Sequence, residues 1–301
     1  MRVSAATEAF LRYCAEEKHL APNTIIAYRQ DLAEFGRDVR GSRQVRAIGP
    51  IDVLAYRNRL STERKLSPAT VKRRLACLRA LFAWLVRRDV LAASPFAKTE
   101  LRIRLPARLP RCLNRRDVRR LMRHRAEQGV DYALAIVLLL ATGVRVGELT
   151  ALRLLDVDSG SGRFTIFGKG SRERTVFVTD PRLREEVREY VAERHGHGVQ
   201  SVNAHLLVDE RGRPLTSARI RHAIAGLGRA AGLERRLTPH MLRHTAATML
   251  LESGTDIRFV QRLLGHRSII TTQIYTHVSD RALQAALARA NVLGNLTATA
   301  P

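Results

Sequence analysis

Residues 238–277 read TPHMLRHTAATMLLESGTDIRFVQRLLGHRSIITTQIYTH. Thr238 before Pro239 is a helix start, because the hydroxyl can cap a first-turn N–H and proline loses no hydrogen bond at the first helical position. The helix opened there is expected to end at Gly254. A second, Asp256–Leu264, ends at Gly265, and a third spans Ser268–His277. His240 and Arg243 lie three apart, on one face of a helix N-terminus that already favours an anion. His244 stands one turn beyond His240, so a two-histidine metal site is a rival reading. Against it, no H-E-x-x-H occurs, no acid lies in the cluster, and the adjacent arginine repels a cation. Tyr275 is the only tyrosine after Tyr190. Between Ile274 and Thr276 it would ordinarily be a packing residue, so its meaning depends on its company.

Upstream, residues 141–149 read ATGVRVGEL. Glycine closes the apolar Tyr132–Ala141 helix, and a short helix from about Val144 to Leu152 follows. Arg145 and Glu148 share a face of it, as an ordinary surface pair would. Phe164–Phe167 and Thr175–Val178 alternate as strands around the hairpin turn Gly168-Lys169-Gly170-Ser171. Lys169 is the only lysine after Lys98 in a chain with 47 arginines and 5 lysines. Asn114 with Asp117 resembles a capping box. Asp180-Pro181 begins another helix, Leu206–Val208 reads as a short strand, and Thr216–Ala231 as a helix. The last helix, Ser279–Asn291, carries an apolar stripe of Ala282, Leu283, Ala286, Leu287 and Ala290.

The first 95 residues read as four helices: Ala5–Lys18, one capped by Asn23, Pro50–Glu63, and one opened by Ser67-Pro68. Val71, Leu75, Leu78, Phe82 and Leu85 form the stripe of the last, with Lys72, Arg73, Arg74 and Arg79 mostly off it. Leu20-x-Pro22-x-Thr24 echoes Leu66-x-Pro68-x-Thr70, read as repeated helix-start chemistry rather than a duplicated domain. Ser94–Pro110 holds three prolines and no helical stripe, which marks a linker. The expected division is 1–95, a linker at 96–110, and 111–301. The fold class is mainly α (α+β), with a helical N-terminal domain before a mostly helical domain holding a small antiparallel sheet.

Charge narrows the partner. The formal net charge is +24, divided as +11 over residues 1–107 and +13 over the remainder. Solubility alone asks for a net charge of about 2–8 per small domain. Two basic halves point to a polyanion touched by both, nucleic acid first. Arginine suits phosphate, because its planar fork gives two parallel hydrogen bonds. Cys14, Cys77 and Cys112 are odd in number and widely spaced, so neither a disulfide framework nor a zinc site is indicated and a cytosolic setting is expected. No signal-like apolar run opens the chain, and the apolar run from Ala133 to Ala141 is far short of the roughly 20 residues of a membrane span.

R-x-x-E-L, the lysine hairpin, H-x-x-R-H, L-G-H and I-Y-T-H, in that order, resemble the tyrosine recombinase (phage integrase) family, particularly its short Xer-like members. Leu20–Phe35 is similar to the DNA-clamping helical (SAM-like) domain of that family. The resemblance implies that Arg145 and Arg243 grip the scissile phosphate, that Lys169 is the hairpin lysine, and that His240 is the acid/base histidine. It makes His266 the second histidine, Glu148 a supporting acid and Tyr275 the nucleophile. It implies a 3′-phosphotyrosine intermediate, formed without ATP, metal or other cofactor; no phosphate-binding G-x-x-x-x-G-K-[ST] loop is present. Phe177 stands where many relatives have proline. The implied partner is a double-stranded DNA core site, bound by a homotetramer on two paired sites or a heterotetramer with a related recombinase, in the cytoplasm at the nucleoid. Ser279–Asn291 would dock into a neighbouring subunit, or pack on its own domain. Lys72, Arg73, Arg74, Arg79 and Arg219 are candidate DNA contacts. Dimer resolution, integration and transposition remain open roles. A type IB topoisomerase is the alternative enzyme. A non-enzymatic DNA-binding regulator is the alternative of another class, since Asp256–His277 has spacing like a helix-turn-helix.

Overall fold

The structure, a computed structural model, describes residues 1–97, 99, 101–103, 111–168, 173–196, 201 and 203–265. The expectations for Lys169, His266, Tyr275, the helices Ser268–His277 and Ser279–Asn291, and most of the linker lie outside the described residues. Two compact units are present, Met1–Ala107 and Arg108–Pro301.

In the first unit four α-helices, α1 (Val3–Glu16), α2 (Pro22–Val39), α3 (Pro50–Asn58) and α4 (Pro68–Arg87), enclose one core. A π-helical turn, Arg59–Glu63, extends α3 to the length its apolar spacing predicts. Phe35 packs edge-on to Tyr56 and Phe82, with ring centroids 5.1 and 6.2 Å apart. Ser67 caps α4 by accepting from the Thr70 N–H. The start of α2 differs from expectation: Ala21, not Asn23, is the cap residue, because Pro22 takes the first helical position.

The echo between Leu20-x-Pro22 and Leu66-x-Pro68 has a structural basis. His19 and Lys65 both adopt left-handed φ, at 47° and 49°. Leu20 then donates to the Cys14 carbonyl and Leu66 to that of Leu60, each six residues back. Each bond is one residue wider than the closing bond of a Schellman stop, because the turn before it is also widened, Lys18 donating to Tyr13 and Arg64 to Arg59. A proline-led helix begins immediately after each. The repeat is therefore a helix stop joined to a helix start.

Behind this core, Asp31 and Glu34 on α2 are buried and ion-paired. Arg73 and Arg74 of α4 reach Asp31, and Arg64 and Arg74 reach Glu34.

The second unit is built around α6 (Val130–Thr142), whose Leu134, Ala135, Ile136 and Leu139 are fully buried. It is preceded by α5 (Arg115–His124), capped by Asn114, which accepts from the Asp117 N–H at 2.8 Å. After α7 (Val146–Ala151), strands β1 (Val157–Asp158), β2 (Arg163–Phe167) and β3 (Glu173–Phe177) form an antiparallel sheet in the order β1-β2-β3. Phe164, Ile166 and Val176 point from it into the core, which the alternation at 164–167 anticipates. Then follow α8 (Pro181–Gly196), α9 (Ser217–Ala230), α10 (Pro239–Glu252) and α11 (Ile257–Leu264).

Leu206–Val208 is not a strand. Only isolated bridges form there, His205 just before it with Arg153 and its own Val208 with Pro214, because each stretch of pairing is cut short by a turn. The apolar run reflects burial of Leu206 and Leu207, not ladder formation. Among the described residues, no helix is long and apolar enough to cross a membrane.

Candidate active site

Three chain junctions of the second unit meet at one place. The first is the step from α6 to α7. Gly143 ends α6 in the left-handed conformation, with φ 63°. Arg145 then becomes the N-cap residue of α7, and its N–H donates to Glu148 Oε2 at 2.8 Å. Its guanidinium also gives one N–H to Glu148 Oε1, at 2.8 Å. The sequence pair is real, but Glu148 is not a surface acid: its side chain is 7% exposed.

The second junction is the start of α10. Thr238 caps it by accepting from the Met241 N–H, Pro239 is at the first turn, and His240 and Arg243 follow. Arg243 is 4% exposed. It donates to the carbonyl oxygen of Gly143 at 2.7 Å and to that of Leu264 at 2.6 Å.

The third is the end of α11, where Gly265 is left-handed with φ 65°. The last carbonyls of a helix have no partner within it. Here arginines supply them: Arg243 and Arg145 at Leu264, the latter at 3.5 Å, and Arg174 from β3 at Leu263, at 2.8 Å. The guanidinium charges also suit the negative end of the helix dipole.

These junctions wall a cavity of about 1300 Å³ that Arg145, Glu148, His240 and Arg243 all line. Arg174, Arg221, Arg236 and Arg262 line it as well, with Glu148 and Glu173 as its acids. Among the described lining residues six arginines face two glutamates, a positive balance that favours an anion. His240 is exposed to this space, and its pKa is lowered from the ordinary 6.5. Partial burial is the first cause, and the charges of Arg243, Arg145 and Arg221 add to it. His244, 6.4 Å away ring to ring, is lowered by burial, His240 and Arg243. Cationic neighbours on both imidazoles argue against the two-histidine metal reading.

Residues 111–282 match the sequence profile described as the phage integrase family, and residues 7–89 that of the phage integrase N-terminal SAM-like domain. The chain belongs to the phage integrase family. A tyrosine recombinase of Agathobacter rectalis is 32% identical over 90% of this chain and 91% of its own length. Tyrosine recombinase XerC of Roseiflexus castenholzii is 36% identical over 91% of this chain and 89% of its own. In fold, the chain resembles the solved XerH site-specific recombinase bound to palindromic difH substrate in a post-cleavage complex. The TM-score is 0.75 at 24% identity, covering 94% of this chain and 83% of the other. The chain is an enzyme of the tyrosine recombinase class.

Within this recombinase, Arg145, Glu148, His240 and Arg243 come together from segments about a hundred residues apart. Phe167, Gly168 and Gly265, which precede Lys169 and His266 in the chain, line the same cavity. Arg219 is elsewhere engaged, donating to Asp209 at 2.5 Å. Lys72 and Arg79 are exposed on α4, with Arg79 over the Phe96 ring. Sequence reasoning missed Arg174, Arg221, Arg236 and Arg262. In a chain with 47 arginines, nothing local distinguishes them.

Proposed function

We propose that this recombinase cuts and rejoins DNA at a specific site through a covalent bond between Tyr275 and a 3′ phosphate. One observation carries the reading. Arg145 and Arg243, from separate helices, converge on the Leu264 carbonyl and line one cavity with His240.

A phosphodiester resists attack because its oxygens are negative and its alkoxide leaves poorly. Two guanidiniums on the non-bridging oxygens stabilise the charge that builds in the pentavalent transition state. The Tyr275 phenol must lose a proton to attack. His240, held neutral by its lowered pKa, is a competent acceptor. As the phenolic oxygen bonds to phosphorus, the bond to the 5′ oxygen breaks, and that oxygen takes a proton from Lys169. Lysine can release a proton at accessible pH, whereas arginine cannot. His266 is the second histidine of the site, and Glu148 supports Arg145. The phosphotyrosine ester conserves the bond energy, so a 5′ hydroxyl from another strand reverses the step without ATP or metal.

The +24 charge and the recombinase relatives support double-stranded DNA as substrate. Lys72 and Arg79 are the proposed DNA contacts, since Arg73, Arg74 and Arg219, expected beside them, are held by Asp31, Glu34 and Asp209. The proposed active assembly is a tetramer on two paired core sites, of one chain or with a related recombinase. Dimer resolution or the movement of a mobile element is the proposed role, in the cytoplasm at the nucleoid. The test is to map the DNA bound in cells, then incubate nicked suicide duplexes of that sequence with the protein. A denaturation-resistant adduct that Tyr275→Phe abolishes is expected. No adduct on any bound site sinks the enzyme reading in favour of a regulator. Adduct without exchange between two sites favours a topoisomerase.

A further inference from the structure

Glu148 poses a problem for the site it occupies. A carboxylate beside a phosphate-gripping arginine competes for that arginine, and an isolated Arg145–Glu148 pair would be a closed ion pair with little charge left for a substrate. The structure places a second cation on the same carboxylate. Arg174, from β3, donates to both oxygens of Glu148, at 3.1 and 2.7 Å, while Arg145 gives its side-chain bond to one oxygen only. Arg174 is 10% exposed, its Nε is fixed on the Leu263 carbonyl, and Gly265 comes so close that an added Cβ would lie 3.3 Å from it. Arg145, by contrast, is 42% exposed toward the cavity. Arg174 is thus locked and Arg145 is accessible.

We infer that Arg174 is a positioning residue that neutralises Glu148, so that Arg145 keeps its positive charge for the scissile phosphate. The inference rests on the proposed role of Arg145. The charge arithmetic is simple: one carboxylate faces two guanidiniums, and the bidentate, buried partner takes the larger share. Fork-to-fork geometry is the stronger and more directional of the two arrangements. Without Arg174, the oxygens it vacates draw in the remaining N–H groups of Arg145, and the buried carboxylate holds that arginine away from the cavity. The anchor at Leu263 adds register, since the carbonyl next to it is the one that Arg145 and Arg243 share.

The test compares Arg174→Met, Glu148→Gln and the double variant with the unchanged protein, reading the rate of covalent adduct formation on a nicked suicide duplex. Arg174→Met is expected to slow the adduct by about tenfold or more, each factor of ten being about 1.4 kcal/mol. Glu148→Gln removes the competing charge, so the double variant is expected to form adduct far faster than Arg174→Met and within a few-fold of Glu148→Gln. A purely structural role for Arg174 predicts the opposite, a double variant as slow as the single or slower. A substrate carrying a neutral methylphosphonate at the cleaved position gives a second readout, because it asks less of Arg145. The defect of Arg174→Met should shrink on it. A defect of equal size on both substrates, or a double variant far below Glu148→Gln, overturns the inference. If Arg174→Met does not fold, the comparison of the double variant with Glu148→Gln still decides. Failure of the unchanged protein to form any adduct instead rejects the proposed function, so the two failures are distinguishable.

Discussion

Arg243 donates to the carbonyl oxygen of Gly143 across one hundred residues of chain, at 2.7 Å. The bond ties the start of α10 to the last turn of α6. It depends on the left-handed φ of Gly143, which ends the helix and sets where its carbonyl lies. A side chain at 143 would be strained by about 1–2 kcal/mol. Its Cβ would also meet Leu264 Cδ2 at 2.9 Å, displacing the α11 end that Arg243 and Arg145 share. Gly143→Ala is therefore expected to lower the urea midpoint and to slow adduct formation together. Normal adduct rates in a destabilised variant would show that the Gly143 junction does not position the arginines.

The four α4 cations that the sequence offers as DNA contacts, Lys72, Arg73, Arg74 and Arg79, fall into two classes. Arg73 and Arg74 are paired with the buried acids Asp31 and Glu34, and Asp31 accepts from Arg73 at 2.9 Å. Lys72 is exposed, and Arg79 lies over Phe96. Removing a phosphate contact lowers the slope of log affinity against log salt by about 1. Lys72→Ala and Arg79→Ala are expected to do this with little loss of stability. Arg73→Ala takes from the buried Asp31 its two hydrogen bonds, leaving only the longer contact of Arg74 at 3.7 Å, and is expected to cost about 1–2 kcal/mol, the value discounted because Arg73 is half exposed. Binding over a salt series, paired with urea unfolding, separates the two. An Arg73→Ala variant as stable as the parent would contradict the structural part.

The sequence made some of this legible and hid the rest for a physical reason. Helix starts such as Ser67-Pro68 and Thr238-Pro239 are local chemistry, and they lie where their residue types put them. Inward alternation placed Phe164 and Ile166 in the core. The composite of Arg145, His240 and Arg243 was legible only through their motifs in order, not through spacing. Arg174 was illegible because its meaning comes from Glu148, 26 residues back, and Leu263, 89 residues on. Leu206–Val208 misled because a buried apolar run and a strand look alike when the turn that truncates the pairing is not recognised.

His240 and His244 should make the protein sensitive to mild acid. Both have pKa values lowered below 6.5, burial being the first cause in each. Well above 6.5 both are neutral, folded or unfolded, and their full contribution to stability is present. As pH falls below that, the unfolded chain takes up protons that the folded chain resists, and stability is lost through the folded values. The urea midpoint is thus expected to drop between neutral pH and the folded pKa values, and less steeply in His244→Gln. Arg221→Gln removes one of the charges that depress His240, so the His240 imidazole should titrate higher in an NMR series. A His240 that titrates above 6.5 in the unchanged protein would deny it the role of neutral proton acceptor.

Lys169 is the sharpest test of the proposed chemistry, because one substitution in the substrate isolates its task. A departing 5′ alkoxide is a strong base and needs a proton, whereas a thiolate, with a thiol pKa near 8.5, leaves without one. Lys169→Ala is expected to slow cleavage of an ordinary duplex by about 100-fold to 10,000-fold, the usual range for a lost general acid. On a duplex with sulfur at the bridging 5′ position, the same variant should cleave at close to the parental rate. Arg145→Ala and Arg243→Ala, which act on the non-bridging oxygens, should not be rescued by sulfur. That contrast separates proton donation from charge stabilisation within one assay. Equal defects for Lys169→Ala on both substrates would assign the leaving-group proton to another residue, with His266 the next to examine.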